Sequence, residues 1–465
     1  MKRFKNIVIT FLSPILVWIF PIFFLYAQNV KEVAFIETMK SGGIFIALSL
    51  FFVFLGRILF RNWEISGVYS AVNGVFLGNF SLILKAIQII IPKIRYWHLL
   101  TFVLIISIVI GSFLLYKKSS AKDILLILTF TCGALVLFNL AISMPTVIKK
   151  VNALHQSREN KLEENVVDKD AKSNIYYLVC DEYASFAQLE KDFGYDNAEF
   201  KNRLKNLGFN ISEDSYNDCS STYVVLANIM SLDYVATTSS TSVELEQFSK
   251  NGALHDILKN NGYTVRGIGD TGWLGIEGTL DTSSGATTSE GGDFTQLALE
   301  KSFIGALIKK NYTGEIQVIK KTLEQINEIE ITPDSSIFTM FYVHAPHHPY
   351  YFKSDGSLNS PYKYTNPDGK NNESYIGQLE YVNRKVSTAL ERIIEKDPNS
   401  IIVLCSDHGN RFGNITESME TRILNVIYYK GRTTEDVKGL SGINTLRYIF
   451  NQELDMKLPY IELPK

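Results

Sequence analysis

The stretch Ile401–Gly413, IIVLCSDHGNRFG, decides the fold of the C-terminal part of the chain. It begins with a short, continuous apolar run, which is typical of a strand buried on both faces of a parallel sheet. The run stops at Asp407 and His408, two residue types that bind metal ions, and Gly409 would let the backbone turn tightly past an ion. The stretch therefore predicts a central strand that ends at a functional site.

Two other apolar runs end in the same way. NIYYLVCDEY, at 174–183, stops at Asp181, and FTMFYVHAPHHPYY, at 338–351, leads into His344 and His347. Amphipathic segments that read as helices separate these strands, which indicates an α/β domain with a largely parallel sheet. Because functional groups collect beyond the carboxyl ends of parallel strands, we expect these side chains to share one rim with Asp407 and His408.

The N-terminal third has a different composition. Four stretches are long and apolar enough to cross a bilayer, and a weaker fifth, 67–91, carries Asn73, Asn79 and Lys85. The four are 7–26, 43–60, 99–116 and 124–142. The sequence thus predicts a transmembrane anchor of about five helices at 1–148, a charged juxtamembrane linker at 149–173 and a catalytic domain at 174–465.

Charge and cysteine content exclude some functions. A net charge of −2 and the lack of a basic patch in the C-terminal part argue against a nucleic-acid partner. The four cysteines, Cys132, Cys180, Cys219 and Cys405, are too scattered for a disulfide framework, and we expect free thiols. Positive residues lie mainly on the side that five spans make cytoplasmic, which predicts a catalytic domain outside the cell membrane.

A nucleophile is expected in NDCSSTYVVLANIMSLDY, at 217–234. Ser220, Ser221 and Thr222 directly precede an apolar helix. A hydroxyl at a helix N-terminus can be activated by the helix N–H groups and by a bound cation. Ser221 or Thr222 could equally be only the N-cap of that helix. The residues alone leave both readings open.

These segments together resemble a known family. NIYYLVCDEY, SSTYVVLANIMSLDY, HAPHHPYYF, QLEYVNRKV, CSDHGNR and TRILNVIYY occur in the order and approximate spacing of the sulfatase-like branch of the alkaline phosphatase superfamily. The chain most resembles bacterial membrane enzymes similar to lipoteichoic acid synthase and the lipid phosphoethanolamine transferases, which also carry a five-span anchor. The resemblance covers 174 to the C-terminus and implies an alkaline-phosphatase-like sandwich.

The resemblance also implies roles for individual residues. Asp181, Thr222, Asp407 and His408 would bind one divalent metal ion, and Thr222 would be the covalently phosphorylated nucleophile. Manganese or zinc suits these ligands, and magnesium would also be accepted by the carboxylates. His347 would hold the transferred group or protonate the leaving alkoxide, with His344 as the alternative.

The sequence departs from relatives with other activities. Sulfatases need a Cys or Ser within C/S-x-P-x-R for conversion to formylglycine, and CSSTY has neither the Pro nor the Arg. Two-metal phosphatases need a further Asp-His-His set of ligands. No such set is evident in this sequence, which favours a site for one metal ion. Glu182 takes the place of a second ligand Asp of true sulfatases, and a metal role for it stays open.

Three functions follow. The first is a transferase that moves a phospho-alcohol group, phosphoglycerol or phosphoethanolamine, from a phospholipid to an extracytoplasmic glycan or lipid. The second is a hydrolase of phosphate or sulfate esters, and the third is an inactive protein that binds a cell-surface polymer. Polar segments after Asp270 and after Tyr351 could form an acceptor rim, with Trp273 as a stacking platform, or could be surface loops.

Overall fold

The structure is a computed structural model that describes residues 2–117, 121–154, 172–280, 294–307, 313–360, 373–411 and 419–464. The chain divides into two compact units. The first, here called the membrane unit, comprises Met1–Asn152 and Ser289–Asn311, and the second, the catalytic unit, comprises Ala153–Thr288 and Tyr312–Lys465. Most of the predicted linker, 155–171, lies outside the described residues.

Six helices make up most of the described part of the membrane unit. They are α1 (Lys2–Gln28), α2 (Phe35–Phe60), α3 (Trp63–Gly78), α4 (Phe80–Ile90), α5 (Tyr96–Lys117) and α6 (Ala121–Leu154). Four of them, α1, α2, α5 and α6, are each long and apolar enough to span a membrane, and they match the four strong predicted spans. The protein is therefore a membrane protein.

The weaker fifth span is a bent helix pair. Helices α3 and α4 reach the required length only together, and they meet at an angle of 63° beside Asn79. Helix α3 is mostly buried, including Asn73, whereas Lys85 on α4 is exposed. The predicted fifth span thus corresponds to a bent helix pair whose first helix buries its polar residue Asn73 within the protein.

Small residues let α3 approach α1 closely. A Cβ atom at Gly74 would lie 2.8 Å from the ring of Trp18, and one at Gly67 would lie 2.7 Å from the carbonyl oxygen of Thr10. The Trp18 indole donates to the Ser70 carbonyl oxygen at 3.0 Å, and the Ser70 hydroxyl donates to the Ser49 carbonyl oxygen at 2.8 Å. Close contact and interhelical hydrogen bonds thus hold α1, α2 and α3 together.

The catalytic unit is built on one sheet. Its described strands are β1 (Ile175–Cys180), β2 (Asn210–Ile211), β3 (Thr264–Gly269), β4 (Ile337–Val343), β5 (Ile401–Cys405) and β6 (Asn425–Tyr428). Their order across the sheet is β2-β6-β5-β1-β4-β3. β1 pairs in parallel with β4 and β5, and β3 pairs in parallel with β4, whereas β6 is antiparallel to β5 and β2.

Helices cover both faces of this sheet. Those of the catalytic unit are α7 (Phe186–Phe193), α8 (Ala198–Asn206), α9 (Thr222–Ser231), α10 (Ser242–Lys250), α11 (Ala253–Asn260), α14 (Thr313–Glu328), α15 (Glu373–Lys396), α16 (Thr434–Val437) and α17 (Gly442–Glu453). Two short helices of the membrane unit, α12 (Phe294–Lys301) and α13 (Phe303–Leu307), precede α14 in the chain.

The continuous apolar runs are explained by burial on both faces. Along β1, Tyr176 and Leu178 belong to one apolar cluster, while Tyr177 and Val179 belong to the cluster on the other face. Every residue of β1 and β5 is buried. This confirms the predicted α/β sandwich with a central, largely parallel sheet.

Candidate active site

Three neighbouring strands deliver the candidate ligands to one end of the sheet. Asp181 directly follows β1, His344 directly follows β4, and Asp407 comes two residues after β5. Since β1 lies between β4 and β5, these parallel strands end side by side. The backbone N–H of Asp181 donates to the Val343 carbonyl oxygen at 2.9 Å, which ties the two strand ends together.

Thr222 is the first residue of α9, and its hydroxyl points to the same place. Its Oγ1 lies 3.2 Å from His408 Nε2 and 3.5 Å from Asp181 Oδ1. Ser221 holds the N-cap position but its side chain makes no capping hydrogen bond. The Thr222 hydroxyl therefore faces Asp181 and His408 instead of serving the helix end.

Hydrogen bonds fix the orientation of each candidate ligand. The Tyr342 hydroxyl donates to Asp181 Oδ2 at 2.6 Å. His408 Nδ1 lies 2.7 Å from the Gly409 carbonyl oxygen, so Nδ1 carries the proton and Nε2 presents its lone pair to the site. Asp407 Oδ1 accepts from the backbone N–H groups of Glu182, at 3.1 Å, and of His408, at 2.9 Å.

The other oxygen of Asp407 supports a cation site. Asp407 Oδ2 is fully buried, accepts no hydrogen bond from the described residues and lies 3.4 Å from His408 Nε2. Three ligand atoms, one each from Asp181, Asp407 and His408, lie within 4.8 Å of one another. A buried carboxylate oxygen without a donor is costly unless a cation binds it. These residues therefore fit one divalent metal ion with room for a further ligand.

Electrostatics in the pair of carboxylates point the same way. Burial would raise the pKa of Asp181, but the charges of His347, His344 and His408 and the Tyr342 hydroxyl outweigh it and hold the pKa well below its usual range. Burial raises the pKa of Asp407, and the nearby Asp181 carboxylate raises it further while His408 opposes the shift. A divalent cation would relieve the repulsion between the two carboxylates.

His344 and His347 form the more open side of the site. Their side chains are 14% and 16% exposed, and His344 Nδ1 lies 3.5 Å from Asp181 Oδ2. Asp181, His344 and His347 form a second group of nearby ligand atoms that shares Asp181 with the first. Both histidines are thus placed where a bound substrate could contact them.

Glu182 lies outside both ligand groups and instead holds Arg411. Its Oε1 accepts from the Arg411 backbone N–H at 2.8 Å, and its Oε2 lies 3.6 Å from His347 Nε2. The Arg411 guanidinium donates to His347 Nε2 at 3.1 Å and to the Ser220 carbonyl oxygen at 3.0 Å. A positive charge is thereby fixed between the Ser220–Thr222 turn and His347.

Sequence reasoning assigned no role to Arg411 or Tyr342. Arg411 has a usable signal, because a basic residue four positions after Asp407 stays in the same strand-end loop. Tyr342 has none, since a tyrosine inside an apolar strand reads as core. Gly409 does not have a positive φ, and a Cβ atom at this position would lie only 2.7 Å from the Met419 carbonyl oxygen, so the close approach of the backbone requires glycine.

The two candidate acceptor segments are described only in part. Residues 281–293 and 361–372 lie outside the described residues. The Trp273 ring is described, and its centroid lies 4.9 Å from that of Tyr223 and 5.8 Å from that of Tyr342. The four cysteines are free thiols, with Cys180 and Cys405 buried and Cys132 and Cys219 half-buried.

Comparison with known proteins gives one family match. The family model described as Sulfatase matches residues 189–442, more than half of the chain. The matched region contains Thr222, Asp407 and His408 and begins shortly after Asp181. No curated protein matches the chain.

Several solved structures are similar to the chain at low identity. The zinc complex of the C-terminal periplasmic domain of EptC from Escherichia coli is 12% identical, covers 63% of this chain and 84% of its own, and has a TM-score of 0.42. The integral membrane lipooligosaccharide phosphoethanolamine transferase A from Neisseria meningitidis is 14% identical. The match covers 94% of this chain and 93% of that protein, with a TM-score of 0.38. A sulfatase-like structure from Bacteroides thetaiotaomicron is 14% identical. The match covers 62% of this chain and 72% of that protein, with a TM-score of 0.41.

Proposed function

Since the chain belongs to the sulfatase family, we propose that it is a membrane phosphotransferase whose nucleophile is Thr222. It would take a phospho-alcohol group, such as phosphoethanolamine or phosphoglycerol, from a phospholipid and pass it to an extracytoplasmic glycan or lipid. Asp181, Asp407 and His408, with Thr222, would hold one divalent metal ion.

The observation that carries this proposal is the position of the Thr222 hydroxyl. It lies at the N-terminus of α9, within 3.5 Å of both Asp181 Oδ1 and His408 Nε2. The N-cap position belongs to Ser221, so the Thr222 hydroxyl is not needed to cap the helix. A hydroxyl held among metal-type ligands has the geometry of an activated nucleophile.

The residue type favours phosphoryl transfer over sulfate hydrolysis. The Cys219–Tyr223 segment lacks the C/S-x-P-x-R pattern that formylglycine formation needs. Threonine keeps an ordinary hydroxyl, which forms a phosphate ester by direct attack at phosphorus. The fixed Arg411 guanidinium supports the same view, because its positive charge would stabilise the negative charge of a phosphodiester bound beside Thr222.

The chain's own residues account for the first half of the reaction. When bound, a divalent cation would neutralise phosphate oxygens and lower the pKa of the neighbouring hydroxyl. Arg411 and the first-turn N–H groups of α9 would orient the phosphodiester so that Thr222 Oγ1 attacks in line. The hydroxyl proton leaves to solvent, a bond forms from Oγ1 to phosphorus, and the bond from phosphorus to the lipid oxygen breaks.

His347 would protonate the leaving group. It lies on the open side of the site, where Arg411 donates to its Nε2, and after that bond is released and His347 is protonated it would give a proton to the diacylglycerol oxygen. His344 is the neighbouring candidate, with its ring centroid 5.7 Å from that of His347. In the second half, the hydroxyl of the acceptor attacks the phosphothreonine and frees Thr222.

The membrane unit supports a lipid donor on the extracytoplasmic side. The Lys150 ammonium donates to the Val33 carbonyl oxygen at 3.0 Å, so the end of α6 lies beside the loop that follows α1. If α3 and α4 count as one span, the chain leaves the unit on the side opposite its N-terminus. The basic residues near the N-terminus favour a cytoplasmic start.

Incubation of the full-length protein with phospholipids tests the proposal. Vesicles of phosphatidylethanolamine or phosphatidylglycerol, each with zinc or manganese, should yield diacylglycerol. Thr222→Ala should abolish this release, while Thr222→Ser should keep a measurable part of it because it retains a hydroxyl. If neither lipid is consumed but an artificial sulfate ester is hydrolysed, the proposed chemistry is wrong.

A further inference from the structure

Residues 294–307 belong to the membrane unit although the chain on both sides of them belongs to the catalytic unit. They form α12 and α13, which pack against α2 and α4. A single sequence does not reveal this placement, because the segment is too short and too polar to cross a bilayer. Its contacts within the membrane unit explain why it folds there.

An apolar stripe holds α12 in place. Phe294 and Ala298, one helical turn apart, are only 3% and 1% exposed and join the apolar cluster that contains Phe45 and Phe80. Leu297, Phe303 and Ala306 pack against the same cluster. On the opposite face of α12, Gln296 is exposed and its amide donates to Glu300 Oε1. The segment is thus amphipathic, and its apolar face packs against the apolar cluster of the membrane unit.

Polar contacts add specificity to this packing. The Ser41 and Thr295 hydroxyl oxygens lie 3.0 Å apart, which joins α2 to α12. The Ser81 hydroxyl on α4 donates to the Glu300 carbonyl oxygen at 2.6 Å. Glu300 lies in the last turn of α12, where helix carbonyl groups lack partners inside the helix. α4 therefore caps the end of α12.

We propose that residues 294–307 are a second anchor by which the catalytic unit is attached to the membrane helices. Both ends of the segment continue into the catalytic unit, so its attachment acts on that unit independently of the chain that follows α6. Two attachments restrict the catalytic unit more than one does, and this raises the effective concentration of its site at the membrane surface.

Cutting the chain between Asn160 and Lys161 tests this second anchor. A specific protease site is inserted there in the full-length protein in vesicles, and after complete cleavage the membranes are washed with high salt. The C-terminal fragment should stay with the membranes. With Phe294→Asp and Ala298→Asp together, about tenfold more of it should appear in the supernatant, because two carboxylates cannot enter the apolar cluster.

Gln296→Asp is the matched control, since it adds the same charge on the exposed face of α12 and should leave the fragment membrane-bound. Release of the unsubstituted fragment, or retention of the doubly substituted one, would overturn the proposal. The released fragment should keep its circular dichroism spectrum, so that loss of the catalytic fold is not mistaken for loss of the anchor.

A cross-link gives a second readout that leaves the apolar face intact. Ser41→Cys combined with Thr295→Cys should form a disulfide on mild oxidation, so that the two cleaved fragments migrate as one band without reductant. Ser41→Cys with Gln296→Cys should not cross-link. Equal cross-linking in both pairs, or none in the first, would argue against the anchor. Neither assay uses catalytic activity, so both are independent of the proposed function.

Discussion

Thr222 Oγ1 lies 3.2 Å from His408 Nε2, although the two residues are 186 positions apart in the chain. The contact exists because α9 begins beside the end of β5 and because the Gly409 carbonyl oxygen turns the lone pair of His408 Nε2 towards Thr222. In the proposed function, this hydroxyl and this imidazole would hold the same divalent cation.

Replacement of Asp407 by Asn should weaken metal binding by more than about 100-fold. The reason is that Asp407 Oδ2 is buried without a donor, and loss of supporting groups around a ligand alone costs about 10–100-fold. Isothermal titration of the metal-free protein with zinc or manganese measures the affinity of each variant for the metal. Asp455→Asn, at an exposed position, is the control, and equal affinities of the two variants would rule out Asp407 as a ligand.

Tyr342→Phe should lower metal affinity by about tenfold without removing any ligand. The Tyr342 hydroxyl donates to Asp181 Oδ2 at 2.6 Å and so orients the carboxylate. The same titration detects the change, and the variant should still bind one equivalent of metal. Unchanged affinity would mean that Asp181 needs no such orientation.

Glu182 and Arg411 should behave as a coupled pair. Glu182→Gln and Arg411→Met should each lower the Tm of the full-length protein by about 2–4 °C, because each removes one charge of the largely buried pair of Glu182 Oε1 and Arg411 Nε, which lie 3.8 Å apart. The double variant should lose no more than the larger single loss, as expected for residues in direct contact. Additive losses would show that the two act separately.

Gly74→Ala should destabilise the membrane unit. A Cβ at this position would lie 2.8 Å from the buried ring of Trp18, and overpacking of this kind costs about 1–3 kcal/mol. Gly43→Ala is the matched control, since it has open space and also lies within a helix. Thermal unfolding in detergent should show a lower Tm for Gly74→Ala and an equal or higher Tm for Gly43→Ala.

An extracytoplasmic catalytic unit predicts the labelling of two exposed positions, Lys31 between α1 and α2 and Lys122 in the first turn of α6. Lys31→Cys should react with a membrane-impermeant maleimide in intact cells, whereas Lys122→Cys should react only after the cells are permeabilised. The unsubstituted protein provides the background from its own four thiols. The reverse pattern would place the catalytic unit in the cytoplasm.

The sequence was sufficient to predict β1, β4 and β5 and the residues that follow them. β1 and β5 read clearly because burial on both faces leaves an uninterrupted apolar run that stops at the first residue of the site. The same pattern located Asp181, Asp407 and His408, which the structure brings within 4.8 Å of one another.

Other features depend on contacts that a single sequence does not reveal. The bend between α3 and α4 and the packing of residues 294–307 involve elements far apart in the chain. The role of Tyr342 depends on the direction of one hydroxyl, and Glu182 reads as a ligand until its carboxylate is seen to face Arg411.

The proposed function depends on covalent phosphorylation of Thr222 by a lipid headgroup. The most direct test is mass spectrometry of peptides from the full-length protein after incubation with phosphatidylethanolamine or phosphatidylglycerol, stopped with acid before the acceptor is added. We expect a phosphoethanolamine or phosphoglycerol adduct on Thr222 of the unsubstituted protein and no such adduct in the Asp407→Asn variant. An adduct on Ser220 or Ser221 instead, or diacylglycerol release with no adduct on Thr222, would contradict it.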